Sequence, residues 1–277
     1  MTVPSAAPSS PRSGRRLRVA SVSFLNSKPL IEGLEREPDV DLLLRVPSAL
    51  LATLQTDQAD VALLPVIDYQ RAEGLTVLPA GGIGSDGPTL TVRIFSRVPI
   101  ERIKSLACDP DSHTSVALAR IILARRYRLR PECCDLSRAS DAADEARLLI
   151  GDKVVTAEPR GFEHQLDLGR EWKAMTGLPF VFAVWLARPG VALPPLYDHL
   201  ARAKQRGLAV IERIITRHAV PLGWPVELAR QYLTQNLRFH VGPRELDAIR
   251  TFHQLAAEEA IIPAAEPLRV WTPAEQA

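Results

Sequence analysis

The chain has 277 residues, of which 46% are hydrophobic and 24% charged, proportions typical of a globular protein large enough for two domains. The formal net charge is +2, but three of the 34 basic residues lie in the first 16 positions, where no acidic residue occurs. The remainder is therefore close to neutral, which argues against nucleic acid or an anionic membrane as a partner, and no apolar run is long enough to span a bilayer.

The first 16 residues are rich in proline and serine, and we predict that they form a disordered tail. This segment lacks the apolar block of a secretory signal. The three cysteines, Cys108, Cys133 and Cys134, are odd in number and include an adjacent pair, so they do not suggest a disulfide framework or a zinc site. Together these features predict a cytoplasmic protein.

Strand-like and helix-like segments alternate after the tail, which predicts a parallel sheet with helices on both faces. A polar turn follows the first strand and leads into a short helix that carries Leu30, Ile31 and Leu34. We predict strands over Leu17–Phe24, Val40–Val46 and Asp60–Pro65, and a helix over Ala49–Gln55 that Ser48 caps.

A glycine-rich segment, Ala80–Thr91, follows this first part of the chain. Its four glycines within eight residues allow the backbone to approach a ligand or another chain segment closely. A plain turn explains the same composition, and both interpretations stay open. The segment is not a dinucleotide fingerprint, because it leads into a strand rather than a helix.

Two matching apolar runs, Val92–Pro99 and Leu178–Pro189, predict buried strands that end at a proline. We interpret them as the two places where the chain crosses between lobes. The fold class that follows is α/β, with one lobe formed by residues 17–95 and 186–277 and the other by residues 96–185. A ligand cleft is expected between the lobes.

The middle of the chain repeats the plan of the first part, which indicates structural duplication. Strands are predicted over Ser105–Cys108 and Ala146–Asp152, and helices over Val116–Tyr127 and around Ala139–Glu145. The last third is helical and is expected to cover the first lobe, with helices over Tyr197–Thr216, Pro225–Gln235 and Arg244–Ala260.

Two polar loops, Phe24–Pro29 and Asp111–Ser115, each follow a strand and precede a helix. A helix start offers unpaired amide groups and a partial positive charge, so each loop is a candidate carboxylate site; simple helix capping is the alternative. The candidate acids and bases are Asp109, Asp152, His113 and His164. No metal-binding or nucleophile motif is present, so any reaction is expected to depend on placement and hydrogen bonding.

These residues resemble those of the chorismate dehydratases of the futalosine route to menaquinone. The resemblance covers residues 18–260, and its longest and most specific motif is Thr176–Trp185. The other matching pieces are Phe24–Leu30, Asp60–Pro65, Asp86–Pro88, Ser112–Val116 and Leu149–Asp152.

The resemblance implies a two-lobed fold like that of type II periplasmic binding proteins, with two crossover strands. It implies loss of water from chorismate to give 3-[(1-carboxyvinyl)oxy]benzoate, with no metal and no cofactor, and it leaves a homodimer open. It assigns catalysis to Asn26 and Thr91, and substrate binding to Ser27, Gly87, Ser112, His113, Thr114, Ser115 and Asp152.

This chain departs from the family pattern at several of these positions. Thr91 stands where serine is usual, His113 stands where arginine is common, and residues 153–155 are larger than usual. A histidine balances a negative substrate charge only when it is protonated.

Two other functions remain open on the sequence. One is a non-catalytic cytoplasmic protein of the same fold that senses or carries a small carboxylate. The other is the sister enzyme of the pathway, which makes a dihydroxynaphthoate. Turnover separates the first from a dehydratase, and the choice of substrate separates the second.

Overall fold

Two β-sheets organise the chain in the computed structural model, which describes residues 15–109, 112–138, 145–157 and 159–272. The tail predicted over residues 1–16 and the helix predicted around residues 139–145 fall almost entirely outside the described residues. The strands are β1 (Leu17–Ser21), β2 (Val40–Leu44), β3 (Val61–Pro65), β4 (Thr76–Ser85), β5 (Val92–Ser96), β6 (Ser105–Cys108), β7 (Glu132–Asp135), β8 (Ala146–Ile150), β9 (His164–Asp167), β10 (Phe180–Ala187) and β11 (Leu237–Arg238). The α-helices are α1 (Lys28–Ile31), α2 (Pro47–Gln55), α3 (His113–Tyr127), α4 (Lys153–Thr156), α5 (Leu168–Thr176), α6 (Leu193–Ala209), α7 (Ile211–Ile214), α8 (Val226–Gln231) and α9 (Pro243–Glu258).

The two sheets share one plan. The first has the order β11-β4-β10-β3-β1-β2 and the second the order β7-β6-β8-β5-β9. In each sheet three neighbouring strands run parallel, and the strand beyond them, β10 or β5, runs antiparallel to its neighbours. The predicted duplication is therefore present, but the sheets are mixed rather than purely parallel, because the strand that arrives from the other half runs in the opposite direction.

The chain changes sheet twice, through residues 86–91 and through residues 168–179. Both changes come directly before the apolar strands that the sequence singled out as crossings, because β5 pairs with β8 and β9, and β10 pairs with β3 and β4. They lie one strand earlier than the lobe boundaries expected at residues 95 and 186.

The glycine-rich segment forms most of β4 and is not a plain turn. β-Carbons at Gly82 and Gly84 would lie 2.7 Å and 2.6 Å from the backbone oxygens of Ala183 and Phe180 on the neighbouring strand. Only glycine allows this approach, so these two residues let β4 bend against β10, where two register shifts occur. The close approach is to another segment of the chain.

Two helices begin earlier than their sequence patterns suggest. α2 starts at Pro47, a favourable first helical residue, and its N-cap is Val46 rather than Ser48. α3 starts at His113, so three polar residues form its first turn before the apolar positions that revealed it. The later helices are interrupted by π-helical turns over Ile215–Ala219 and Tyr232–Asn236.

The long motif that carries the family resemblance serves mainly as core. Trp172, Phe180 and Phe252 are fully buried and pack edge to face, with ring centroids 5.1–6.1 Å apart. The indole of Trp172 donates a hydrogen bond to the Pro179 carbonyl at 2.9 Å. This cluster joins α5, β10 and α9 at the second change of sheet. Among the described residues, no helix is long and apolar enough to cross a membrane.

Candidate functional site

A cleft that is partly open to solvent lies between the two sheets. We call the part of the molecule built around the first sheet the first half and the part built around the second sheet the second half. Much of the wall is apolar, with Leu63, Ile83 and Phe182 from the first half and Val92 and Ile150 from the second. The polar residues in the wall are Asn26, Thr89, Thr91, Ser112, His113, Thr114, Ser115 and Tyr232. A mostly apolar cleft with a few polar groups is typical of a small-molecule site.

Asn26 reaches the cavity from the turn that follows β1. Its Oδ1 atom is buried and has no hydrogen-bond partner among the described residues. A buried amide oxygen without a partner is unfavourable unless a ligand supplies a donor. This atom is therefore a candidate acceptor for a ligand hydroxyl or amide.

Ser27, which the resemblance assigns to substrate binding, does not line the cavity. It is fully buried, and its hydroxyl lies 2.8 Å from the Val22 carbonyl and 2.9 Å from the Phe24 carbonyl. It holds the turn that presents Asn26. The helix after this turn, α1, has only four residues, so the loop does not offer the extended helix start that the sequence suggested.

Thr91 lines the cavity directly before β5, and its side chain hydrogen-bonds a residue of the first half. Its hydroxyl donates to the hydroxyl of Tyr232 at 2.8 Å, and the side chain of Asn26 also hydrogen-bonds Tyr232. Tyr232 is fully buried, and this burial raises its pKa well above the usual value, which keeps the phenol neutral. Both residues assigned to catalysis therefore meet at one phenol.

Sequence reasoning missed Tyr232 and its neighbour Trp224. The two rings stack with centroids 5.1 Å apart, and Tyr232 begins a π-helical turn, a feature frequent at functional sites. Tyr232 lies within the amphipathic helix predicted over Pro225–Gln235, and Trp224 directly precedes that helix. No spacing or motif distinguishes them there.

Asp152 joins the two halves beside the cavity rather than lining it. Its carboxylate accepts a hydrogen bond from the Trp224 indole at 3.1 Å and one from the Leu25 amide. Burial raises the pKa of Asp152, although these hydrogen bonds and the charge of Lys28 partly oppose the shift. The adjacent Gly151 lines the cavity instead.

The start of α3 forms the opposite wall. Ser112, His113, Thr114 and Ser115, which the resemblance assigns to substrate binding, all line the cavity. The first intrahelical hydrogen bond is made by the amide of Val116, which donates to the Ser112 carbonyl at 2.9 Å, so the amides of residues 113–115 precede it. Helix α3 has fifteen residues, and the amides and hydroxyl groups at its start suit the binding of a carboxylate.

His113 contacts the first half through Asp68. Its Nδ1 lies 2.9 Å and 3.1 Å from the two carboxylate oxygens of Asp68, which is fully buried and also accepts a hydrogen bond from Arg71 at 3.0 Å. The neighbouring Thr114 hydroxyl accepts a long hydrogen bond, 3.4 Å, from the Ile67 amide. Helix α3 is thus tied to the segment after β3.

The carboxylate of Asp167 binds the segment that connects β4 to β5. Asp167 accepts hydrogen bonds from the amides of Thr89, Leu90 and Arg170 at 2.9–3.1 Å. Gly87 has φ +130°, where glycine is favoured, and it does not line the cavity. Its role in this structure is in the backbone of the connection rather than in contact with a ligand.

Within the described residues, Glu37, Asp39 and His199 form the one group of three side chains close enough to share a metal ion. None of them lines the cavity, and Glu37 already pairs with Arg206 at 2.8 Å. The polar wall of the cavity consists of hydroxyl groups, one amide and one imidazole, a donor set that favours an organic ligand over a metal.

Comparisons with known proteins identify a family for this chain. Residues 17–258 match a protein family described as menaquinone biosynthesis. The chain is 28% identical over 258 residues to the chorismate dehydratase of Thermus thermophilus, covering 85% of this chain and 91% of that one. It is 23% identical over 239 residues to the chorismate dehydratase of Campylobacter jejuni, covering 83% and 93%.

Among solved structures, the periplasmic aliphatic sulphonate binding protein SsuA of Escherichia coli superposes with a TM-score of 0.68. The identity is 15%, and the match covers 96% of this chain and 94% of that one. At this identity the likeness concerns the fold alone. It confirms the predicted two-lobed α/β class.

Proposed function

Because this chain belongs to the menaquinone biosynthesis family, matched over residues 17–258, we propose that it is a chorismate dehydratase. The reaction removes water from chorismate to give 3-[(1-carboxyvinyl)oxy]benzoate. The relatives from Thermus thermophilus and Campylobacter jejuni carry the name chorismate dehydratase and align over more than four-fifths of the chain.

The observation that carries this proposal is the pairing of an unsatisfied acceptor with a helix start across one cavity. Asn26 Oδ1 has no partner among the described residues, and the first turn of α3 lies in the opposite wall. Chorismate has a ring hydroxyl to donate to an amide oxygen and a ring carboxylate to accept from helix amides. The two walls therefore suit the two ends of this molecule.

Asn26 is assigned to the departing hydroxyl rather than to a substrate carboxylate. A carboxylate has no proton to donate, whereas the hydroxyl has one, and the available atom of Asn26 is an acceptor. Tyr232 and Thr91 hold Asn26 and the start of β5 in register through their shared hydrogen bonds. The catalytic contribution of the three residues is placement of the breaking C–O bond.

The proposed chemistry does not require a base from the protein. Among the described residues of the cavity wall, His113 is the one with a basic side chain, and its Nδ1 is paired with Asp68. The substrate's enolpyruvyl carboxylate takes the proton from the ring carbon next to the hydroxyl-bearing carbon and passes it to the hydroxyl group. The C–O bond breaks, and the hydroxyl leaves as water. The ring becomes aromatic, which makes the elimination favourable. We also propose that the reaction needs neither a metal ion nor a cofactor.

The test is incubation of the purified protein with chorismate in the presence of EDTA, followed by chromatography with mass detection. An aromatic product lighter than chorismate by one water is expected. Asn26→Ala should lower kcat by at least a hundredfold while the melting temperature stays close to that of the wild type. Asn26→Asp is the matched control, because it keeps the shape but adds a charge beside an anionic substrate, and it should also be poorly active.

Absence of turnover by the wild-type protein would contradict the proposal. Thermal stabilisation by chorismate without any product would point to a carboxylate-binding protein instead. Activity that disappears in EDTA and returns with a metal would contradict the metal-independent chemistry.

A cytoplasmic location and a homodimeric assembly complete the proposal. The three cysteines, all within the described residues, are not joined by a disulfide, which suits a reducing compartment. Cell fractionation tests the location, and sedimentation at several protein concentrations tests the assembly.

A further inference from the structure

Three charged or ionisable side chains meet where α3 touches the segment after β3. The carboxylate of Asp68 lies 2.9 Å and 3.1 Å from Nδ1 of His113 and 3.0 Å from Nη1 of Arg71. Asp68 and Arg71 belong to the first half of the molecule, and His113 begins the helix in the opposite wall of the cavity. The contact therefore crosses between the two halves.

Burial makes this carboxylate unusual. Asp68 is 0% exposed, whereas the side chain of Arg71 is 44% exposed and that of His113 is 26% exposed. A buried carboxylate is costly unless it is paired and hydrogen-bonded. Arg71 already supplies a compensating charge, so the second contact to a ring in the cavity wall requires its own explanation.

The contact with Asp68 determines which ring nitrogen of His113 is available to a ligand. Because Nδ1 lies against a carboxylate, the proton sits on Nδ1, and the chemistry available to a ligand is that of Nε2. Within the described part of the chain, Nε2 makes no hydrogen bond. The ring itself is part of the cavity wall, beside the hydroxyl groups of the helix start.

We propose that Asp68 is a positioning residue that holds His113 so that Nε2 binds the ligand carboxylate at the start of α3. In the bound state, Nδ1–H donates to Asp68 and Nε2–H donates to the ligand. Because Arg71 offsets the charge of Asp68, the protonated ring adds one positive charge to a wall that otherwise offers neutral groups. This inference rests on the proposed function, since it names the cation that a dicarboxylate substrate meets.

The first experiment measures the KM for chorismate, and the dissociation constant of benzoate by calorimetry, in four variants. Asp68→Asn and His113→Gln should each raise both constants about tenfold, with kcat changed less than threefold. The double variant should be no weaker than His113→Gln alone, because Asp68 acts through His113. His164→Gln is the matched control, since His164 lies on β9 outside the cavity wall, and it should leave both constants unchanged.

A merely structural Asp68 gives a different pattern. Its loss would then lower the melting temperature, and the effects of Asp68→Asn and His113→Gln on the constants would multiply in the double variant. Either that pattern or unchanged constants in Asp68→Asn would overturn the inference.

A second measurement uses the wild-type protein and does not depend on whether a variant at Asp68 folds. In the wild-type protein labelled with ¹⁵N at histidine, His113, assigned by its loss in His113→Gln, should carry its proton on Nδ1. A ring protonated on Nε2 alone would overturn the inference. Benzoate binding keeps the two proposals separable: weaker binding in Asp68→Asn without any dehydration of chorismate would support the role of Asp68 and contradict the dehydratase.

Discussion

Replacing Asp167 by alanine should both destabilise the protein and disturb the position of Thr91. The Asp167 side chain, 8% exposed, accepts hydrogen bonds from the amides of Thr89 at 3.0 Å, Leu90 at 2.9 Å and Arg170 at 3.1 Å. Leu90 also has φ +69°, a conformation that costs energy in a residue other than glycine. The carboxylate therefore holds a strained connection one residue before Thr91.

The size of the effect follows from these contacts. A hydrogen bond to a charged group contributes about 1.5–3 kcal/mol. The three amides and the Thr89 hydroxyl, at 3.2 Å, share one carboxylate, so their contributions do not add fully, and we expect Asp167→Ala to lower the free energy of unfolding by about 4 kcal/mol. Urea unfolding monitored by tryptophan fluorescence measures this change. Asp167→Asn keeps one acceptor oxygen in the same place and should cost about half as much.

The activity of Asp167→Ala provides the second measurement. Under conditions where the variant is folded, kcat for chorismate should fall at least tenfold. The reason is that the connection before Thr91 is no longer fixed, so the Thr91 hydroxyl is no longer held against Tyr232. A loss of stability below 1 kcal/mol together with wild-type kcat would refute the assignment of Asp167 as the residue that holds this connection.

Three further predictions concern other parts of the molecule. Gly84→Ala should lower the free energy of unfolding by more than about 2 kcal/mol, because the new methyl group would lie 2.6 Å from the Phe180 oxygen; an unchanged urea midpoint would contradict this. Burial lowers the pKa of His253 to about 4 despite its hydrogen bond to Val66. Between pH 6.5 and 4, His253 is therefore protonated in the unfolded chain but neutral in the folded protein. Stability should therefore fall by about 3 kcal/mol as the pH drops through this window, and His253→Gln should lose that part of the pH dependence. A hydrogen bond from Cys108, aided by Arg120 and opposed by burial, lowers the pKa of Cys133 to about 7, so iodoacetamide at pH 7 should modify Cys133 before Cys108, as peptide mass spectrometry can determine.

The sequence was sufficient for the residues whose position depends on their neighbours in the chain. Ser112, His113, Thr114 and Ser115 line the cavity because they form one helix turn directly after a strand, and Asn26 lies in a turn of the same kind. The same local reasoning failed for Ser27, whose hydroxyl turns inward to two backbone carbonyls. Two adjacent polar residues in a tight turn point in different directions, and their composition does not say which one faces the cavity.

Other site residues depend on contacts between segments far apart in the chain. Tyr232 meets Thr91 across 141 residues, and His113 meets Asp68 across 45. Asp68 follows an apolar strand in a segment without any motif. Such partners become visible only when both halves are packed together.

The sequence by itself determined the two-lobed α/β class, the two apolar strands that follow the changes of sheet, and the helix start that forms one wall of the cavity. These features follow from apolar periodicity, glycine and proline positions, and local helix chemistry, which act over a few residues. Only the tertiary structure decided that the glycine-rich segment is a strand bent against β10, that Asp152 joins the two halves, and that Tyr232 lines the cavity, with Trp224 stacked on it and Asp68 bound to His113. The physical reason is that burial and hydrogen bonding of these groups are set by side chains from distant segments, so no local pattern can specify them.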